Sequence, residues 1–361
     1  VGLNHLELTD FRVFTITAFD PDPEGTTVLV GPNGTGKTSL LEAVGYLGLG
    51  RSLRGSPREA MIRNGSDRAI IRAELRFAER DLLVEAELSR VGRSRAQVNR
   101  QPVRSRKDLA EAIPVTTFCP DDLFVVQAGP AGRRDLLDDA LIQLDPRAGA
   151  LLEEVDKSLR QRNALLRQAN GRLSEAIEGT LDVWDDRLGR AGDELVGMRR
   201  DLLDLLAEPI DAAYQTLAGT EGPQAISAVY EGTARGGLTE VLAAARRDDV
   251  RRGVTTQGPH RDDVGFALNG RDARTQASQG EQRTLALALR LAIHLAARDH
   301  LGAPPLLLLD DVFSELDPDR ARRLVNELPP GQALVTTAAP LPEGVEPALV
   351  VDVAALVRAD G

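Results

Sequence analysis

The stretch TTVLVGPNGTGKTSLLEAVGYL, residues 26–47, decides the fold. Its first five residues are β-branched or apolar and read as a buried strand; its last eight, rich in leucine and alanine, read as a helix. Between them, Gly31–Ser39 fits the phosphate-loop pattern G-x-x-x-x-G-K-[ST], in the strand-then-helix context the pattern requires. Gly31, Asn33, Gly34 and Gly36 leave room for backbone amides to curl round a β-phosphate. Lys37 reaches the β- and γ-phosphates, while Thr38, followed by Ser39, offers its hydroxyl to Mg²⁺. Only Lys37, Lys107 and Lys157 are lysines among the 44 basic residues, so the lysine at 37 marks a place where a compact ammonium does what a planar fork cannot. The expected ligands are ATP and Mg²⁺.

Such a loop needs an acid. PPLLLLDDVFSELD, residues 304–317, supplies two at the end of a leucine run that reads as a strand buried on both faces of a parallel sheet. The carboxyl ends of such strands form the ligand edge. Asp310 is the candidate for the Mg²⁺ shell, and Asp311 for positioning or deprotonating the attacking water. A third stretch, SQGEQRTLALALRLA at 278–292, has capping-box spacing between Ser278 and Glu281 and predicts a helix beginning at Ser278. Its bare amides and positive dipole end make a second anion grip. Within one chain that grip would duplicate the phosphate loop. A head-to-tail homodimer avoids the duplication, with Ser278 and Gly280 of one copy closing over the ATP of the other.

Between these motifs the period changes twice. RAIIRAELRF (68–77), LLVEAELS (82–89) and RAQVNRQPV (95–103) alternate and predict antiparallel strands, joined by turns at Glu79-Arg80-Asp81 and Gly92-Arg93-Ser94. They form a side sheet over about 66–104, outside any parallel core. Leu181, Trp184, Leu188, Ala191, Leu195, Met198, Leu202 and Leu205 then step by three and four up to Pro209. A partner run from Leu152 to Ile177 precedes them, with a reversal expected at Gly179-Thr180. This predicts a helical hairpin whose glycines 189, 192 and 197 need a packing partner. Gly236-Gly237 and the VTTQGPHRDD stretch mark the return to the core. The expected domains are a head from 1–130 plus 250–361 and a helical lobe at 131–249.

Net charge is −11, yet residues 51–107 carry 15 Lys and Arg against 7 Asp and Glu, a local +8 that leaves −19 for the rest. A basic lobe on an acidic chain is the footprint a phosphate backbone feels; the plainer reading is a solvated sheet face. Aromatics are only 3%, which favours duplex backbone contact over base stacking. The arginines on the strand faces of this lobe, with Arg51, Arg54, Arg90, Arg93 and Arg95 as named candidates, are expected to meet DNA. Cys119 is the only cysteine, which excludes an intramolecular disulfide and a Cys-cluster zinc site. The longest apolar run, 285–297, is broken by Arg290 and His294. With no signal-peptide pattern, a cytoplasmic protein with no membrane partner is expected.

Phosphate loop, SQGEQ, LLLLDD and SELD, with a side sheet and a short coiled-coil-like hairpin, resemble the α/β ATP-binding-cassette heads of SMC and Rad50-type proteins. DFR (10–12), NGTGKTSLLEA, RSLR (51–54), GPHRDD (258–263) and SQGEQRTLALALRLA resemble, more narrowly, the RecF family of bacterial recombination mediators. These matches span nearly the whole chain. The resemblance implies a slow, DNA-stimulated ATPase that dimerises with ATP and binds duplex DNA and single-strand/double-strand junctions near gaps. It also implies cooperation with RecR and RecO in loading recombinase. It puts signature roles on Ser278 and Gly280, and the loop after the acidic strand on Ser314 and Asp317. His260 and Arg261, in a shared motif, become candidates for a contact to nucleotide or DNA. Cassette transporters usually place Glu where this chain has Asp311, and the strand QALVTTAAP ends in Thr336-Thr337 with no counterpart of their switch histidine.

Two other classes share some of these motifs. A transporter's energy subunit would leave the helical insert and basic lobe unexplained. A Rad50-like tether needs hundreds of coiled-coil residues, where this chain has a short hairpin.

Overall fold

The structure is a computed structural model and describes residues 1–77, 80–103, 106–145, 147–219, 224–232, 237–328, 330–338 and 340–358. It divides into two compact units, Val1–Phe124 with Pro209–Pro223 and Gln279–Gly361, and Val125–Glu208 with Gln224–Ser278.

The first unit begins with β1 (Gly2–Phe11), β2 (Phe14–Phe19), β3 (Thr26–Val30) and α1 (Lys37–Leu49). After α2 (Arg58–Met61) come β4 (Arg68–Phe77), β5 (Arg80–Ser89), β6 (Arg95–Val98) and β7 (Gln101–Pro102), then α3 (Arg106–Ala112) and β8 (Val115–Phe118). The second unit holds α4 (Pro130–Leu144), α5 (Ala148–Gln168), most of α6 (Glu175–Ala218), β9 (Ile226–Glu231), α7 (Leu238–Arg252), β10 (Asp263–Leu268), β11 (Arg271–Asp272) and α8 (Ala273–Gln276). The chain returns to the first unit through α9 (Gln279–Leu301), β12 (Leu306–Asp310), α10 (Pro318–Glu327), β13 (Ala333–Thr336), β14 (Leu349–Asp352) and α11 (Val353–Arg358).

Two sheets make the first unit. One is parallel, in the order β14-β3-β13-β12-β8, and the other antiparallel, in the order β2-β1-β4-β5-β6-β7. Helix α1 touches β8, β12 and β13 of the parallel sheet and β1, β4 and β5 of the other. That double contact explains why nearly every side of α1 is buried. Leu40, Leu41, Val44 and Leu47 of α1 join Leu306, Leu308 and Leu334 on one side and Leu6, Leu8, Ile71 and Val84 on the other in one core. The expected side sheet is thus larger than its own three strands, because β1 and β2 from the N-terminus extend it. Of the first expected turn, Glu79 lies outside the described residues, while Arg80 and Asp81 already belong to β5. The expected single strand over 95–103 is two, because Asn99 and Arg100 both take left-handed φ (49° and 66°) and turn the chain in two residues.

In the second unit a helical pair forms, but its reversal is not at Gly179-Thr180. Those residues lie inside α6, where Thr180 Oγ1 donates to Ala176 O at 2.9 Å. The chain turns instead at Asn170 and Gly171, with φ of 45° and 79°, where an amide side chain and a glycine tolerate left-handed backbone. Helix α6 also continues through Pro209, which the sequence marked as an end. Leu181, Leu188, Leu195 and Leu202 are buried as expected, yet Leu205 is 60% exposed. A straight helix drifts off a seven-residue repeat, so the buried line passes to Leu206, Ile210 and Leu217. The helix glycines do have a partner: a Cβ at Gly189 would lie 2.0 Å from Thr239 Oγ1, and one at Gly192 2.4 Å from Leu238 Cδ2. The start of α7 therefore packs on bare backbone of α6; Gly197 meets nothing within 4 Å. Gly236 lies outside the described residues, and Gly237 is the left-handed residue that precedes α7.

Compared with the expected boundaries, 209–223 belong to the first unit and 250–278 to the second. The physical reasons are local. Arg323 holds the last carbonyls of α6, Leu217 O and Ala218 O, each at 3.3 Å. The 254–263 segment is tied to α4, α5 and α6 by three arginines with 0–3% exposure, Arg133, Arg162 and Arg199.

Candidate functional site

The phosphate loop follows β3 and has the backbone that its glycines permit. Gly31, Gly34 and Gly36 have φ of 143°, 83° and 102°. At Gly36 space is lacking too, since a Cβ there would sit 2.7 Å from both Phe14 and Val13. Lys37 is 8% exposed, and its Nζ donates to Gly31 O at 2.6 Å and Pro32 O at 3.2 Å. The ammonium is curled back over its own loop and bound only by neutral carbonyls, which a phosphate oxygen can outcompete.

Parallel pairing of β3, β13 and β12 brings their C-terminal ends together beside this loop. Thr38 Oγ1 donates to Asp310 Oδ1 at 2.7 Å, joining two motifs 272 residues apart. Thr336, at the end of β13, completes the arrangement. Its Oγ1 donates to the same Asp310 oxygen at 2.8 Å and accepts from Asp311 N at 2.9 Å. Burial raises the Asp310 pKa, opposed by the two hydroxyl bonds and by the positive charge of Arg54. Asp311 turns the chain with φ 50°, and its carboxylate accepts from Ala338 N at 3.3 Å. Left-handed backbone on a non-glycine residue is a strained arrangement typical of functional turns. Among the described residues no cluster of three His, Cys, Asp or Glu side chains could hold a metal. Thr38 and Asp310 nevertheless form a hard-oxygen pair of the kind that holds Mg²⁺ together with substrate phosphates.

The signature segment and the loop after β12 form a second group. Helix α9 begins at Gln279, which leaves Ser278 just before it, as the capping-box spacing predicts. A Cβ at Gly280 would lie 3.2 Å from Arg320 Nη2. Arg320 is held by Asp317, whose carboxylate accepts from Arg320 N at 2.9 Å, capping α10, and from Arg320 Nη1 at 2.5 Å. The backbone bond comes first among the causes that lower the Asp317 pKa. Arg283, one turn into α9, donates to Glu315 O at 3.0 Å. Ser314 Oγ donates to Asp311 O at 2.7 Å and so connects the two groups.

Other motifs make contacts within the protein, although Arg54 and Arg261 are themselves exposed. Arg12 of the DFR motif donates to both oxygens of Glu42 at 2.7 and 2.8 Å; Glu42 has no exposure and also binds the Ser52 hydroxyl. DFR, the start of α1 and RSLR are therefore knitted together by one buried carboxylate. Ser52 Oγ accepts from Arg54 N and Ser56 N at 3.1 and 3.2 Å, shaping the loop that carries Arg51 and Arg54. In GPHRDD, the His260 Nε2–H donates to Thr255 O at 3.1 Å and Arg261 reaches the same carbonyl at 3.4 Å. Burial lowers the His260 pKa. Asp262 accepts from Tyr230 Oη at 2.9 Å, and Asp263 binds Arg133 through both oxygens at 2.7 and 2.8 Å.

The basic lobe separates into two parts. On the strand faces Arg72 lies between Glu7 and Glu85, at 2.8 Å from each, and Glu85 also binds Gln97. The charge of Arg72 is thus already paired within the sheet, which sets this one strand-face arginine apart from the exposed Arg68 and Arg76. At the β5–β6 end, Arg90, Arg93 and Arg95 are exposed.

The sequence missed Thr336, Arg320 and the Arg12–Glu42–Ser52 network. The TT pair at the end of an apolar strand was the available signal for Thr336; nothing local marked Arg320. No helix among the described residues is long and apolar enough to cross a membrane.

Comparison with known proteins gives the family and the fold. The profile of a family described as RecF/RecN/SMC N terminal domain matches residues 2–339. The chain is 42% identical over 360 residues to the DNA replication and repair protein RecF of Leifsonia xyli subsp. xyli, covering 93% of both chains. It is 41% identical over 351 residues to that of Streptomyces avermitilis, again covering 93% of each. A solved structure described as the recombination mediator protein RecF-ATP in the RecFOR pathway superposes with a TM-score of 0.86 at 26% identity, over 96% of this chain and 93% of that one. An SMC head bound to the C-terminal winged-helix domain of ScpA shares the fold, with a TM-score of 0.52 at 15% identity over 94% and 90% of the two chains. The family profile over residues 2–339, identities of 42% and 41% over 93% of the chain and a fold shared over 96% of it make the chain a member of the RecF family, within the wider RecF/RecN/SMC group.

Proposed function

We propose that the protein is an ATP-dependent DNA-binding protein of recombinational gap repair whose ATP is held between two copies. The observation that supports this reading is that the phosphate loop and its acids are gathered by their own hydrogen bonds. Gly31–Thr38, Asp310, Asp311 and Thr336 surround one place for a triphosphate, while Gly280 and the amides at the start of α9 belong with Arg283, Asp317 and Arg320. A second copy supplies the amide grip to the exposed side of the γ-phosphate.

The chemistry follows from the parts. Lys37 leaves its loop carbonyls for the β- and γ-phosphates. Thr38 and Asp310 would hold Mg²⁺, which when bound would neutralise charge on those phosphates. The Thr336 hydroxyl fixes the Asp310 carboxylate and the Asp311 backbone, and Ala338 N holds the Asp311 carboxylate that would position the attacking water. Asp311 is one methylene shorter than the glutamate of cassette transporters, consistent with slow hydrolysis. ATP thus serves as a clamp whose release is timed by turnover. The basic β5–β6 end meets duplex DNA, and RecO and RecR are the expected partners, as the RecFOR name of the ATP-bound relative suggests.

Molar mass by light scattering, with ATP, with ADP and without nucleotide, each with and without gapped duplex, tests the reading. A dimer with ATP alone among the nucleotides is expected. Ser278→Arg should still bind ATP yet remain monomeric. A wild-type protein that hydrolyses ATP while monomeric at saturating nucleotide and DNA would overturn the shared site.

A further inference from the structure

The loop between β5 and β6, SRVGRSR at 89–95, combines an apolar tip with a rigid frame. Val91 is 85% exposed, the highest value of any large hydrophobic residue among the described residues. Single exposed apolar residues are ordinary; this one is held in place by a set of hydrogen bonds. Ser89 Oγ donates to Val91 O at 2.6 Å, Ser89 N donates to Ser94 Oγ at 3.2 Å, and Arg90 N donates to Asp67 O at 2.9 Å. Arg58 Nη1 donates to Gly92 O at 3.3 Å, bracing the tip from α2. Gly92 has φ 88°, so the turn takes a conformation that keeps Val91 outward.

Cations flank the valine on both sides. The Arg90 guanidinium is fixed by main-chain oxygens, Ser66 O at 3.1 Å and Arg63 O at 3.5 Å, rather than consumed by a carboxylate. Glu59, which feels its field, is already hydrogen-bonded to Arg58. Arg93, two residues after Val91, is also exposed. A mobile loop would lose order on binding a partner, whereas a pinned one meets it at little entropic cost. A tip with an apolar apex and a cation on each shoulder matches a nucleic-acid groove, which offers phosphates along both rims and sugar C–H surface on its walls.

We infer that the 89–95 tip is a groove probe for duplex DNA, in which Val91 packs on the sugar wall while Arg90 and Arg93 hold phosphates on either side. This rests on the DNA-binding reading above and deepens it, because it gives one contact that is not electrostatic. An apolar contact releases no counterions, so it affects affinity without affecting the dependence on salt.

The test is equilibrium binding of the full chain, with ATP, to a fluorescent duplex across a salt series, for wild type, Val91→Ala, Val91→Thr and Arg93→Ala. Val91→Ala should weaken binding roughly five- to tenfold at every salt concentration with an unchanged log–log slope. Val91→Thr keeps the shape and adds a hydroxyl, and should lose most of the same affinity. Arg93→Ala should reduce the slope by about one. Circular dichroism confirms folding, which a substitution at so exposed a position leaves intact. Wild-type affinity in both Val91 variants overturns the probe while leaving DNA binding itself standing. Wild-type protein that binds no duplex under any nucleotide condition removes both. An effect of Val91→Ala on an acidic protein partner, with DNA binding unchanged, also counts against it.

Discussion

Arg162 in the second unit and Lys37 in the first are both nearly buried cations, at 0% and 8% exposure, but their partners differ in kind. Arg162 Nε donates to Asp185 and Nη1 to Asp249, both at 2.6 Å, with Thr255 Oγ1 at 2.9 Å and Leu242 O at 3.3 Å using the remaining directions. Two formal negative charges and two neutral oxygens occupy four of its five N–H donors and balance its charge. Among the described residues Lys37 has only the carbonyls of Gly31 and Pro32. A buried cation matched by carboxylates is architecture; one held by neutral carbonyls at a loop built of amides is waiting for an anion.

The largest test of that contrast is stability. Arg162→Ala leaves Asp185 and Asp249 buried without their shared cation, although Asp185 keeps Arg246 at 2.6 Å. Breaking one side of a buried ion network costs about 3–5 kcal/mol, so the urea midpoint should fall sharply. Lys37→Met should change stability by less than about 1 kcal/mol, since it exchanges neutral hydrogen bonds for apolar contact, while abolishing ATP-dependent association. Equal destabilisation by the two substitutions would dissolve the distinction.

A third buried group has no charged partner. His294 is 1% exposed; its Nδ1 lies 2.9 Å from Thr116 Oγ1, and burial, with a small push from Arg298, lowers its pKa to about 4. Between that value and the ordinary 6.5 the unfolded chain binds a proton that the native chain refuses, so stability falls as pH drops through this window. The loss should approach 3 kcal/mol, on the order of 1.4 kcal/mol per unit. His294→Gln should flatten the pH dependence of the urea midpoint between 6.5 and 4. A flat wild-type profile would mean that the ring is protonated inside the fold.

Next comes the hydroxyl that links the two acids. Thr336→Val keeps the shape of the β13 end but removes the bonds to Asp310 Oδ1 and from Asp311 N. Hydrolysis should fall about tenfold, the worth of one or two hydrogen bonds, with ATP binding little altered. Full activity in this variant would show that the acids are positioned by the strands alone.

What the sequence disclosed follows the range of its signals. The phosphate loop and the LLLLDD strand were legible because each motif carries its whole chemistry within a few residues, and the strand order then brings them together. Thr336 was not, because a threonine at a strand end is ordinary until Asp310, 26 residues earlier, is known to lie beside it. The reversal at Asn170-Gly171 was passed over for Gly179-Thr180 because a glycine suggests a break by composition, whereas at 189 and 192 glycines serve contact with α7 inside a continuous helix. GPHRDD reads in the sequence as a contact to nucleotide or DNA. Its Asp263 and the Pro259 carbonyl bind arginines on α4 and α6 that no local pattern pairs with it, while Arg261 stays exposed.

The smallest effect separates the two kinds of arginine within the basic lobe. Arg72 is clasped by Glu7 and Glu85, and its pKa is raised by those bonds, Glu85 first, so its charge is already answered before any phosphate arrives. Arg72→Ala should shift duplex affinity by less than about twofold, as expected for a half-exposed pair, and leave the salt slope unchanged. Neutralising a phosphate instead requires releasing its counterion, and each such contact contributes about 0.9 to the slope. A slope that dropped by that amount in Arg72→Ala would mean that DNA draws the guanidinium away from its two carboxylates. The sheet face, and not only its β5–β6 end, would then belong to the binding surface.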